Sequence, residues 1–247
     1  MQRYRIDLAY DGTAYGGWQV QPNVVTVQAM IQDAVRQFAG QREKIVVHGS
    51  GRTDQGVHAR RQVAHFDLDR PTGEKPLCRA LNGMLPPDIR IVHAKRVNDA
   101  FHARRSARAK EYRYFIWTGA IVPPFLRFYR THCRRALDVA AMQEAADELA
   151  GEHDFAGFAA NAKREMETTV RTVTRLSVQR RRDEIVIRAR ANGFLYKMVR
   201  SMTGFLIRVG EGALEPSTAG QILHAATRTA RVPTAPPQGL FLWSVRY

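Results

Sequence analysis

The chain predicts an α+β protein made of two βαββαβ halves. Hydrophobic periodicity alternates between two and about 3.6 residues in the order strand, helix, strand, strand, helix, strand. The same order then occurs a second time, with no sequence identity visible between the two passes. At 247 residues and 45% apolar composition, the chain is globular and long enough for one large or two small domains.

The first half opens on alternation over residues 3 to 10. Tyr4, Ile6, Leu8 and Tyr10 share one face, and Arg3, Arg5 and Asp7 share the other, as in a half-buried strand. Asp11-Gly12 turns the chain toward Tyr15-Gly16-Gly17-Trp18-Gln19. Val27, Met30, Ile31, Ala34, Val35 and Phe38 then form a helical stripe closed by Gly40. Strands are predicted over 44–48 and 61–68, a short helix over 75–84, a Pro86-Pro87-Asp88 turn, and a strand over 89–97.

The second half repeats the order. Tyr112, Tyr114 and Ile116 alternate within a strand over 111–117. Asp138 is placed to cap a helix carrying Val139, Met142, Ala146 and Leu149, ended by Gly151. Strands are expected over 170–179 and 184–191, then a long buried helix over 194–209. A short helix near 217–226 and a Pro-rich turn lead to a last strand over 240–246. Two ferredoxin-like units with antiparallel sheets and helices on one face are the simplest arrangement of this order. The expected domains are residues 1–103 and 104–247.

The chemistry points to the stretch between the strands of the first half, Gly49-Ser50-Gly51-Arg52-Thr53-Asp54-Gln55-Gly56-Val57-His58-Ala59. Three glycines in eight residues let the backbone turn sharply and approach another molecule closely. One carboxylate, Asp54, lies among them, flanked by Arg52 and His58. Gly51 and Gly56 have the glycine spacing of a phosphate-gripping loop, but Val57 and His58 stand where that loop needs Lys and Ser or Thr. The dinucleotide fingerprint fails as well. His48, His58 and His65 are too far apart for a helical metal pair, and no cysteine joins them, so no metal is expected. The plain alternative is a turn in which Asp54 caps a backbone amide.

Residues 51–59 resemble the motif Gly-Arg-Thr-Asp-x-Gly-Val-His-Ala of the tRNA pseudouridine synthase A family, with Gln55 at the variable position. The resemblance covers essentially the whole chain. It continues through Tyr10-Asp11-Gly12-Thr13, Gly17-Trp18-Gln19, Thr26-Val27-Gln28, Phe101-His102-Ala103-Arg104 and Lys110-Glu111-Tyr112-Arg113-Tyr114. It ends with Gly151-x-His153-Asp154-Phe155, Phe194-x-Tyr196-Lys197-Met198-Val199-Arg200 and Gly239-Leu240. The resemblance implies a duplicated fold with a catalytic cleft between the halves. It also implies isomerisation of uridine to pseudouridine at positions 38, 39 and 40 of the tRNA anticodon stem-loop, by a homodimer and without a cofactor. Position by position, the family's nucleophile falls on Asp54, its uridine-contacting tyrosine on Tyr112, and its carboxylate-pairing arginine on Arg200. Arg52 is the other candidate for that cation, or for a group that fills the gap left by a flipped base. Read on their own, Tyr112 is a core tyrosine in an alternating strand and Arg200 lies on the polar side of a helix. His153-Asp154 is taken as structural.

Charge agrees with a nucleic-acid partner. Lysine and arginine outnumber acids 38 to 23, for a net charge of +15. Basic clusters occur at Arg104-Arg105 with Arg108 and Lys110, at Arg134-Arg135, Lys163-Arg164 and Arg180-Arg181-Arg182, and read as a track for RNA phosphates. A passive RNA-binding protein is the competing class, but neither half carries the aromatic signature of an RNA-recognition module. A glycosidase would typically use two carboxylates, where the loop offers one. No long apolar span or basic amphipathic anchor suggests a membrane. The absence of a signal peptide, and two widely separated cysteines, Cys78 and Cys133, point to the cytoplasm.

Overall fold

The computed structural model describes residues 1–41, 45–160 and 168–247. Ten strands and five α-helices among them make a mixed α/β protein. Two compact units divide the chain, Met1–Arg108 with Phe241–Tyr247, and Ala109–Leu240.

In the first unit, β1 (Gln2–Tyr10) lies between β3 (His58–Leu68) and β4 (Ile89–Val97), antiparallel to both. Tyr4, Ile6 and Leu8 are fully buried, as the alternation of β1 predicts. Its other face is not simply solvated. Asp7 is buried and held by Arg5 at 2.8 Å and Arg61 at 3.1 Å, so the charge is paired where water is scarce. Helix α1 (Val27–Ala39) starts on the Thr26 side chain, buries Val27, Ile31, Ala34 and Val35, and ends at Gly40. Helix α2 (Glu74–Met84) buries Leu77 and Leu81.

The strand expected over 44–48 is reduced to β2 (His48–Gly49), which pairs with β3; Lys44 lies outside the described residues. Side chains of α1 explain the shortening. Gln28 Nε2 donates to the Val47 carbonyl at 2.7 Å, and the Val47 N–H donates to Gln32 Oε1 at 3.3 Å. Glutamines from the helix therefore satisfy backbone groups that a strand ladder would otherwise engage.

Strand β5 (Ala109–Trp117) opens the second unit, with the short β6 (Thr131–His132) parallel to it. Asp138 caps α3 (Val139–Glu148), accepting the Ala140 and Ala141 N–H groups at 2.8 and 3.0 Å. Strand β7 (Gly151–Asp154) pairs with β8 (Val170–Arg181), which pairs with β9 (Glu184–Ala191), which pairs with β5. Helix α4 (Met198–Gly210) is buried almost all round and is followed by α5 (Thr218–Ala225). The helix expected from 194 starts at Met198 because Lys197 takes a left-handed conformation, φ 58°.

The final strand is β10 (Leu240–Arg246), of which Phe241 and Leu242 pair with His58 and Ala59 of β3. That pairing is parallel, as is β5 with β6, so the strands of neither unit are purely antiparallel. β3 pairs with β10 at its start and with β2 nearer its end.

Above β3, His65 stacks on His48 with ring centroids 4.9 Å apart and meets the edge of His102 at 4.7 Å. The Ala103 N–H donates to His65 Nδ1 at 3.1 Å. Burial, then the neighbouring His102, His48 and Arg3, push the His65 pKa from 6.5 down to about 4, with only Asp67 acting the other way. The folded chain thus holds this imidazole neutral where an unfolded one would take a proton. Its contribution to stability is intact above pH 6.5 and is lost as pH falls toward 4. His65→Gln, which keeps an acceptor for Ala103, should flatten the fall in urea midpoint across that window. An acid loss equal to that of the parent chain would contradict this.

Candidate active site

The loop between β2 and β3 is built from below. Ser50, Thr53 and Val57 are buried, Asp54 is half-buried, and Arg52 is exposed. The Ser50 N–H donates to the Val63 carbonyl at 2.7 Å, and its hydroxyl donates to Gln62 Oε1 at 2.6 Å. Gln62 Nε2 donates to the Gly51 carbonyl at 3.1 Å. The Tyr10 hydroxyl and Thr53 Oγ1 are 2.8 Å apart, and the Trp18 N–H donates to the Thr53 carbonyl at 3.1 Å. Past Asp54, the turn is closed by main-chain atoms, with the Val57 N–H donating to the Asp54 carbonyl at 3.1 Å.

Two glycines let other segments lie directly against this loop. Gly17 has φ +95°, and a Cβ there would sit 2.5 Å from the Thr53 carbonyl oxygen. A Cβ on Gly12 would sit 2.0 Å from the Val57 carbonyl oxygen. Both contacts need the absence of a side chain, and Gly17 also needs the left-handed backbone. Gly12 further donates its N–H to His58 Nδ1 at 3.0 Å, while His58 stacks on Phe241 with centroids 4.6 Å apart. The blocks Tyr10 to Thr13 and Gly17 to Gln19 are therefore the walls of the Asp54 loop. Arg52 belongs to that system, its Nε donating to Gln19 Oε1 at 3.2 Å.

The remaining candidates belong to the second unit. Tyr112, buried on β5, meets Phe194 edge to face at 5.3 Å. Arg200 is half-buried in the first turn of α4. Its Nε donates to the Ala235 carbonyl at 2.8 Å, and its own carbonyl accepts the Ala235 N–H at 3.0 Å. Segment 232–236 is fastened in turn by Arg228, which donates to the Val232 carbonyl and Thr234 Oγ1, each at 2.8 Å. Arg200 also bears electrostatically on Tyr114, whose phenol is nevertheless pushed up by burial.

Among the basic clusters, Arg104, Arg105, Arg134, Arg181 and Arg182 are exposed. Arg180 donates to the Leu137 carbonyl at 3.0 Å and so has a structural partner. Lys163-Arg164 lies outside the described residues. His153 Nε2 is 2.8 Å from the Ala150 carbonyl, and Asp154 Oδ1 accepts the Ala156 N–H at 2.9 Å. Each member of that pair thus has its own local backbone partner.

A family model described as tRNA pseudouridine synthase matches residues 8–104 and 145–247. The chain belongs to the tRNA pseudouridine synthase family. The tRNA pseudouridine synthase A of Brevibacillus brevis is 47% identical over 247 residues, covering 100% of both chains. That of Limosilactobacillus reuteri is 42% identical over 250 residues, covering 100% of this chain and 97% of its own. That of Halalkalibacterium halodurans is 45% identical over 242 residues, covering 97% and 90%. A solved chain from a Cbf5-Nop10-Gar1 complex overlaps 82% of this chain and 54% of its own length. At 12% identity and a TM-score of 0.33, it carries no argument. Within the pseudouridine synthase match lie Asp54, Arg52 and Arg200, whereas Tyr112 falls between its two matched segments.

Sequence reading missed the supporting residues. Tyr10 reads as one face of a half-buried strand, and Gln62 only as part of the strand expected over 61–68. The available signal was a glutamine at an inward strand position, which has to be hydrogen-bonded to something.

Proposed function

We propose that this member of the pseudouridine synthase family isomerises uridine to pseudouridine in the anticodon stem-loop of tRNA, with Asp54 as nucleophile. The observation that carries the reading is a carboxylate on a loop whose neighbouring backbone is held by buried hydrogen bonds from three directions. Such a loop presents one charged group in one place, as covalent catalysis requires.

The reaction breaks the bond from N1 of uracil to the ribose anomeric carbon and forms one from C5 to that carbon. The proton lost from C5 is balanced by one gained at N1, so the exchange is redox-neutral and consumes no water. This route calls on neither cofactor nor metal. Asp54 attacks either C6 of the base or the anomeric carbon. Tyr112 contacts the uracil ring, and Arg200 or Arg52 keeps the carboxylate ionised. A paired uridine first leaves the stem, at an energetic cost that phosphate contacts offset. Each unit is read as a ferredoxin-like half with its helices on one face.

The working protein is proposed to be a cytoplasmic homodimer, as the family resemblance implies. No helix among the described residues is long and apolar enough to cross a membrane. Light scattering should give the mass of two chains, and a fully active monomer at working concentration would overturn the dimer.

Asp54→Asn should lower turnover by several orders of magnitude, on the order of what losing a covalent nucleophile costs. Melting temperature and tRNA affinity should barely move. Near-normal pseudouridine yield from the purified variant would refute the mechanism. A drop in stability that fully accounts for the lost activity would return Asp54 to the role of a turn cap.

Arg181 and Arg182 are proposed phosphate contacts. Arg181→Ala and Arg182→Asn test them, the second preserving a residue that tolerates the φ of 54° at Arg182. Each lost contact should reduce the slope of log K against log salt by about 0.9, or by about 0.7 on single-stranded RNA. An unchanged slope would make this hairpin an ordinary solvated tip.

A further inference from the structure

Beneath the Asp54 loop lies a buried polar relay to which the proposed reaction has assigned no part. Tyr10, Ser50, Thr53 and Gln62 are each at most 6% exposed, and all four use their side chains on one another or on loop backbone. We infer that Tyr10, Thr53 and Gln62 are positioning residues, which set where the Asp54 carboxylate stands and act on the rate of the chemical step. The inference rests on the reading of Asp54 given above.

Gln62 is the hub of the relay, and its polarity is fixed. Gln62 Oε1 accepts from the Ser50 hydroxyl and the Val63 N–H, which fills its acceptor sites. Its Nε2 can only donate, and it faces the Gly51 carbonyl and the Tyr10 hydroxyl. The Tyr10 phenol keeps its own proton and shares one hydrogen bond with Thr53 Oγ1, in which either hydroxyl can donate. Burial pushes the Tyr10 phenol up, which keeps that proton in place at working pH. Glutamine suits the hub because one planar amide supplies both an acceptor and two donors. Glutamate would face the Gly51 carbonyl without a proton to give.

The far end of the relay is the residue before Asp54. Thr53 is gripped twice, through its hydroxyl by Tyr10 and through its carbonyl by the Trp18 N–H. Together these fix the peptide plane from which Asp54 springs. Stability alone does not require this arrangement, since an apolar side chain at position 53 could fill the same buried space. A polar group held from two sides restricts direction as well as volume. Misplacing a reacting group by about 1 Å can cost on the order of a hundredfold in rate.

Tyr10→Phe removes one hydroxyl, Thr53→Val removes its partner at nearly constant shape, and Thr53→Ser retains it. The measurements are the single-turnover rate at saturating tRNA, the tRNA Kd and the melting temperature. Tyr10→Phe and Thr53→Val should each slow the single-turnover step by about ten- to a hundredfold, with Kd held within about twofold. The double variant should be no slower than the worse single one, because both cut the same link. Thr53→Ser should recover most of the rate. Unchanged rates, losses that multiply in the double variant, or a Kd that rises as the rate falls would overturn the relay. If Tyr10→Phe does not fold, the comparison of Thr53→Val with Thr53→Ser decides by itself. Failure of the underlying reading looks different: the parent chain would leave tRNA uridine unchanged, or Asp54→Asn would remain active.

Discussion

The hydrogen bonds that tie Thr53 to Tyr10 and to the Trp18 amide are the constraint on which the rest of the first unit is arranged. A buried polar group left without a partner costs about 1–3 kcal/mol, so loop, strand and preceding turn have to stay in register. That demand reaches outward. It requires the end of β1 to lie beside the start of β3, and it requires bare backbone at Gly12 and Gly17 where segments touch. The same economy governs Val47, whose backbone groups are met by glutamines from α1. At Val47 side-chain amides do the work that strand pairing does elsewhere in the sheet.

Much of the architecture was legible because periodicity is a local property. The stripe of α1, the Asp138 cap, the alternation in β1 and β5, and the hairpin of β8 and β9 all emerged near their expected residues. Departures occurred where a distant partner overrides the local signal. Ile45, Val46 and Val47 look like a strand, yet α1 claims the backbone of Val47. Phe194 and Leu195 continue a helical stripe, yet the left-handed Lys197 delays α4 to Met198. Leu240 to Arg246 reads as a strand of an antiparallel sheet, yet Phe241 and Leu242 pair in parallel with His58 and Ala59. No pattern within a window of a dozen residues reports which sheet edge a strand will join.

The candidate site divides along similar lines. Its candidate carboxylate, Asp54, stood out because glycine, charge and motif coincide over a few neighbouring residues. Its supports did not, because an inward tyrosine or glutamine looks like core until its partners are known. Arg200 shows the difference. Sequence places it on the polar side of a helix, while its orientation depends on the Ala235 carbonyl, held in a segment that Arg228 fastens. Residue type was readable there, and aim was not.

The return of Phe241–Tyr247 to the first unit bears on how the protein is made. During synthesis, β3 emerges early, but the strand that covers its edge at His58 and Ala59 is translated only after the whole second unit. Until then that edge, next to the Asp54 loop, presents unpaired backbone groups of the kind that recruit stray strands. Pairing residues this far apart in the chain also closes a very long loop, which slows the last step of folding. The unit that carries Asp54 is therefore finished last, and a fragment ending at Arg108 would lack the strand that closes it.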